Sequence, residues 1–167
     1  VSFASVTRLI DPPLYIVTAA AGGEKSGCLV GFATQCSIHP PRFLVCLSVL
    51  NHTYGVAQRA EVLGVHLVDA DQRDLAAHFG ELTGDEQDKF AGLAWHLGEH
   101  GAPILDDARA AFEGRVLERI VLGDHVGHLL HPLGEETAAE AGAYSQLRLS
   151  DSAGMQPGHP ADEALER

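Results

Sequence analysis

The chain has 167 residues, 46% of them hydrophobic, which suits one domain with a substantial core and is too apolar for global disorder. Its formal net charge is −12 and its only lysines are Lys25 and Lys89, so it lacks the basic footprint that nonspecific nucleic-acid binding needs. No run approaches the ~18 apolar residues of a membrane-spanning helix, and no signal-peptide pattern opens the sequence. An acidic surface still leaves room for a small anionic ligand, because a few local donors hold a phosphate. Cys28, Cys36 and Cys46 form no CxxC pair and no metal-ligand spacing, and three cysteines leave no complete disulfide set. A reducing, cytoplasmic setting without membrane contact is therefore expected, with Val1 standing after a trimmed native start.

In chain order, Leu14 to Ala20 reads as a strand. Turn residues Gly22 to Ser26 lead to a second strand over Gly27 to Ile38, so a hairpin is expected. Pro40-Pro41 removes two backbone donors and ends regular pairing. Phe43 to Leu50 is a continuous apolar run, short and branched enough for a buried strand. Asn51 to Ala60 reads as a short helix and Val62 to Val68 as a strand. In Asp71 to Gly80, Leu75 and Phe79 share a helical face and Gly80 suits the end. Thr83 to Glu86 is a capping-box pattern, and Gly92 to Ile104 reads as irregular. Phe112 to Leu122, His125 to Leu133 and Ala143 to Leu149 complete the strands. Strands at both ends with helices inserted, and no βαβ alternation, predict a mainly β fold, a small barrel with helical insertions. One domain is expected over 1–150 and a tail over 151–167.

Several constellations carry possible chemistry. Ser48 to Thr53 brings a buried strand to a helix start, where free N–H groups favour an anion; Asn51, His52 and Thr53 add donors, and the plain alternative is an ordinary helix cap. Thr34, Gln35, Cys36 and Ser37 end a strand with polar groups that a ligand or nearby loops would satisfy. Gly123-Asp124-His125 is either a hairpin turn with a surface histidine or a turn that aims an imidazole into a cleft. On a regular strand His128 faces away from His125 and His131. No metal site is expected from these spacings. The cysteines share even positions and are expected to pack in the core.

Tyr15-Ile16-Val17-Thr18, Gly27 through Pro41, Phe43 through Tyr54, Gly98 through Leu105 and Gly123-Asp124-His125, in that order, resemble the flavin reductase family. The resemblance implies an FMN-binding split β-barrel that forms a homodimer and transfers hydride from NADH or NADPH to FMN or FAD. It places the flavin ring along Cys28, Leu29, Val30 and Gly31, mainly through the backbone. Thr34 through Ser37 would lie near the ribityl chain and phosphate, with a second phosphate contact at Asn51, His52 and Thr53. The catalytic position near flavin and nicotinamide falls to His125. A flavin-dependent monooxygenase is the implied partner. Two departures stand out: Leu29-Val30-Gly31 replaces the family's Thr-Ala-Ser, and Gly127 to Pro132 replaces an apolar strand ending Gly-Glu-Val. They keep a competing function in view, a flavin-binding module without turnover.

Overall fold

Alternation of apolar residues gives each strand one face for a shared interior, and the computed structural model shows how that interior closes. It describes residues 2–81, 88–137 and 144–156, with the backbone alone over 135–137. The elements are α1 (Phe3–Thr7), β1 (Tyr15–Ala21), β2 (Glu24–Val30), β3 (Ala33–Ser37), β4 (Arg42–Ser48), α2 (His52–Ala57), β5 (Val62–Leu67), α3 (Arg73–Glu81), β6 (Trp95–Leu97), β7 (Pro103–Leu105), β8 (Ala110–Val121) and β9 (His125–Thr137). Seven strands form one sheet in the order β2-β1-β5-β8-β9-β4-β3. All six neighbouring pairs are antiparallel. β6 and β7 form a separate hairpin.

The sheet curls, and its inward residues pack together. Tyr15, Val17, Cys28, Val30, Val45, Leu47, Leu63, Val65 and Leu130 meet there, and Val56 and Ala57 of α2 close one side. A second core lies on the outer face. It holds Ile16, Val68, Ala76, Phe79, Phe90, Leu105 and Leu147, gathered by α3 and the chain's later turns. Ile16 and Val17, adjacent in sequence, thus serve opposite faces of one strand.

The structure revises several expectations. The strand expected from Gly27 to Ile38 is two strands, broken at Gly31-Phe32 and placed at opposite ends of the sheet order. The break, with a bulge between Gln35 and Ser37, resets side-chain parity. The cysteines therefore do not share a core: Cys28 is buried, Cys46 half-buried and Cys36 exposed. The irregular stretch from Gly92 contains the β6–β7 hairpin. No strand runs over 144–149. Isolated bridges Asp69–Gln146 and Pro13–Arg148 hold that ribbon instead, and Leu147 anchors it in the outer core. The capping box at Thr83 lies outside the described residues.

Two buried polar groups fix the loop around β7. His66 is fully buried; its Nδ1–H donates to the Ile16 carbonyl at 2.9 Å, and its Nε2 accepts from the Leu105 N–H at 3.1 Å. Glu113 is also buried, and its carboxylate accepts from the backbone N–H groups of His100 (2.9 Å) and Ala102 (2.9 Å) and from His100 Nδ1 (3.0 Å). A Cβ at Gly98 would stand 2.5 Å from that carboxylate, so only glycine admits the approach. Desolvation pushes the Glu113 carboxyl up, but these donors outweigh it and hold it below its ordinary value.

Burial pushes the His66 imidazole from 6.5 down to about 4. The unfolded chain therefore binds a proton that the folded chain refuses between those values. Stability from this group is complete above about pH 6.5 and is lost as pH falls toward 4, a loss of about 3 kcal/mol. His66→Phe leaves the Ile16 carbonyl and Leu105 N–H unpaired and is expected to cost about 2–4 kcal/mol at pH 7.5. Urea titrations across pH 7.5 to 5 should show the gap between variant and wild type narrowing. A constant gap would mean that His66 does not carry this pH dependence.

Candidate functional site

The site begins where β4 runs out beside the β8–β9 turn. Ser48 pairs with His125, and the Val49 N–H donates to the Asp124 carbonyl at 3.0 Å. Gly123 makes the turn at φ +130°, a conformation side chains rarely adopt. His125 Nδ1–H donates to its neighbour's carboxylate, Asp124, at 2.7 Å, which orients the ring. That hydrogen bond holds the Asp124 carboxyl below its usual range. The Phe32 ring lies with its centroid 5.0 Å from that of His125, tilted by 60°. Residues ninety-odd positions apart thus meet at one rim, because the Phe32 carbonyl accepts from the Cys46 N–H at 2.8 Å and ties the link to β4.

Beside this rim runs β3, the terminal strand of the sheet, whose outer backbone edge has no strand partner among the described residues. Thr34 and Cys36 are exposed, and Ser37 sits at the bulge. Gln35 pairs with Phe43 and so takes the inward parity of that strand. Cys28 and Val30 point into the barrel core, and burial pushes the Cys28 thiol up to about 11. Leu29 faces the other way and packs with the outer core. Gly31 begins the link to Phe32.

Asn51 caps α2, its side chain accepting from the Thr53 N–H at 2.9 Å. The Thr53 hydroxyl is buried and shares a 2.8 Å hydrogen bond with Ser26 of β2. Thr53 is therefore already partnered on backbone and side chain. His52 Nε2 lies 2.8 Å from Glu24, and the same carboxylate takes Arg59 at 2.5 Å, so β2 holds both ends of the helix. Arg59 is the main cause of the low Glu24 carboxyl value. From the opposite side Arg119 of β8 donates to the Ala57 and Ala60 carbonyls at 2.9 and 2.7 Å. It satisfies the carbonyl end of α2 with a cation.

The structure thus brings His125, Gly31 and the β3 edge into one region. It sets Cys28, Val30 and Thr53 inside. His128 does face away from His125, into the interior, where it is fully buried and within 3.4 Å of Gln58. Desolvation holds its imidazole below the ordinary value, with the Arg119 charge adding to the effect. Sequence reasoning passed over Phe32, Ser26, Glu24 and Arg119. Phe32 alone had a local signal, a bulky aromatic directly after a glycine in an apolar run; the others act through partners far along the chain. Among the described residues no three His, Cys, Asp or Glu side chains gather as a metal set.

A curled antiparallel sheet with an open edge strand and a Gly-Asp-His turn at its rim defines a class of small half-barrel proteins. Residues 7–133 match the sequence model of the flavin reductase like domain, and the chain belongs to that family. It is 29% identical to an FMN reductase (NADH) of Bradyrhizobium diazoefficiens, over 81% of this chain and 86% of that one. It is 27% identical to the 4-hydroxyphenylacetate 3-monooxygenase reductase component of Klebsiella oxytoca, over 77% and 76%. A Rhizobium meliloti relative named a probable flavin reductase is 33% identical over 66% of this chain, which spans only 35% of that protein's length. An FMN-binding protein of Thermus thermophilus superposes with a TM-score of 0.72 at 27% identity, over 77% of this chain and 73% of that one. A Streptomyces globisporus NADH:FAD oxidoreductase shares the fold, with a TM-score of 0.76 at 22% identity over 89% and 90%.

If Arg119 and Ser26 hold α2 in place, their loss should be felt through the helix. Arg119→Met unpairs two carbonyls and Ser26→Ala leaves the buried Thr53 hydroxyl without its partner. Each is expected to destabilise by about 1–3 kcal/mol in urea unfolding. Hydrogen exchange at the α2 amides should rise in both variants. Unchanged exchange there would separate these bonds from the order of the helix.

Proposed function

We propose that the chain is an NAD(P)H-dependent flavin reductase, taking hydride from NADH or NADPH onto FMN or FAD and supplying the reduced flavin to a partner monooxygenase. The observation that carries this reading is the convergence of the unpaired β3 edge, Phe32 and the Asp124-oriented His125 at one rim. These groups fit a flavin: a flat heteroaromatic ring with polar edges needs a backbone to read its edge and an apolar face to lie on. The names of relatives that reduce FMN with NADH, or serve a monooxygenase, support it.

The bound flavin supplies the hydride-accepting ring, and the protein supplies binding and orientation. Backbone groups from Gly31 through Ser37 orient the ring and its ribityl chain. Side-chain readout by Leu29 and Val30 is absent, because the first is apolar and packs outward and the second is buried. The phosphate is held near Asn51 and His52, at the His125 end of β4; Ser37 pairs with Arg42 six residues before Ser48, roughly 20 Å away, and does not share it. Thr53, engaged with Ser26, positions that corner from inside. Phe32 excludes water beside the ring, and His125 positions the nicotinamide. Hydride transfer needs no proton from His125, so its effect is geometric. The unpaired cysteines suit a reducing cytoplasm.

His125→Ala is expected to lower kcat/KM for NADH by about tenfold or more, with flavin affinity changed less. Asp124→Asn keeps the ring but loses the charged acceptor, and a smaller loss is expected. His96→Gln, on the separate β6–β7 hairpin, serves as the control; His128 is unsuitable because it is a buried core residue. NADH oxidation with saturating FMN measures all three. Full activity in His125→Ala would remove that residue from the site. Flavin bound without NADH oxidation in the wild type would support a binding module instead.

The same reading makes the protein a homodimer. Val121 is 81% exposed at the tip of the β8–β9 hairpin, with Leu122, Leu117 and Phe32 also open to solvent. Apolar side chains at a hairpin tip beside an open strand edge are what a second copy would cover. Sedimentation at low micromolar concentration should report a dimer, and Val121→Asp should shift it toward monomer while weakening flavin binding. A wild-type monomer that binds flavin fully would overturn this arrangement.

A further inference from the structure

The end of the barrel away from His125 holds a cavity of about 660 Å³, walled by Phe43, Phe112, Leu67 and Pro132, with Gln35 and Arg42 at its polar side. β9 separates it from the His125 turn: Pro132 lies seven residues along the strand, roughly 20 Å at strand rise. The two rings pack edge to face at 5.2 Å, and Tyr15 stacks on Phe43 at 5.5 Å, so the aromatic wall is fixed before any ligand arrives. Arg42 Nη1 donates to the Pro41 carbonyl at 2.7 Å and lies 3.0 Å from His131 Nδ1. Among the described side chains no carboxylate pairs with this arginine. Within the described residues the guanidinium thus has no counter-ion, which suits it to an anion.

We infer that this cavity is a second binding site, separate from the flavin groove, for a small planar aromatic carboxylate whose ring lies against the wall formed by Phe43 and Phe112 and whose carboxylate meets Arg42. The volume lies within the range of sites that enclose such ligands, and a mostly apolar wall with one cation gives affinity and orientation together. β3 separates the two sites by its own parity. Thr34 lies on the outward side, where the flavin reading applies, and Gln35 on the inward side, at the cavity. Such a site lets an aromatic acid act on a protein whose proposed chemistry happens at the other end of the barrel.

Calorimetry with 2-naphthoate and its neutral isostere 2-naphthamide tests the inference on the intact chain. Naphthoate is expected to bind one to one. Arg42→Gln should weaken it about tenfold and naphthamide by less than about twofold. Ala110→Phe, which fills the cavity and spares the arginine, should abolish both. Saturating FMN should leave naphthoate affinity unchanged. Displacement of naphthoate by FMN would make the cavity part of the flavin groove and overturn the proposal. So would equal losses for the two probes in Arg42→Gln, or no naphthoate binding below millimolar concentration. FMN titration alone, in the same instrument, reports separately on the flavin reading, so either can fail without the other.

Discussion

The link at Gly31-Phe32 constrains everything else. β2 and β3 stand at the two ends of the seven-strand order, yet only two residues join them. Three steps of extended chain reach roughly 11 Å at most, about two strand spacings. A flat sheet of seven strands cannot satisfy that distance, so the sheet must curl until its ends meet. The Phe32 carbonyl marks the seam, accepting from Cys46 of β4. Once the seam forms, inward residues have a common interior, and the outer edge of β3 is left bare because the closure uses only its link.

The seam also explains why α2 is held from so many directions. It is a six-residue helix, too short to be stable alone. Glu24 and Ser26 reach it from β2, on one side of the closure. Arg119 and His128 reach it from β8 and β9. Its order therefore depends on strands far apart in the sheet being brought together, and the corner that carries Asn51 and His52 inherits that dependence.

Much of the fold was legible because it is local. Gly22-Gly23 marked the first hairpin, the apolar run from Phe43 marked β4, and Gly123-Asp124 marked the last hairpin. The break at Gly31-Phe32 was hidden, since a glycine inside an apolar run resembles a strand residue until closure demands a corner. The 144–149 ribbon read as a strand for a good reason: Leu147 is buried and extended. Its partners, Pro13 and Val68, supply only isolated bonds on either side. At the site, the resemblance pointed to His125 and the segment that forms β3, while Phe32's contact with His125 required the seam. Thr53 looked like a surface donor because a helix start usually faces solvent; the Ser26 hydroxyl below it was invisible in sequence.

The Glu113 carboxylate has a kinetic meaning as well. It accepts hydrogen bonds from the amide N–H groups of His100 and Ala102 in a segment with no regular structure, between β6 and β7. Amides in such a connection ordinarily exchange with solvent in step with local fluctuation. Here they can open only if a buried negative charge loses its donors, a far costlier event than the fraying of a loop. In the time domain, then, this turn belongs with the central strands: it keeps its shape until the barrel itself comes apart.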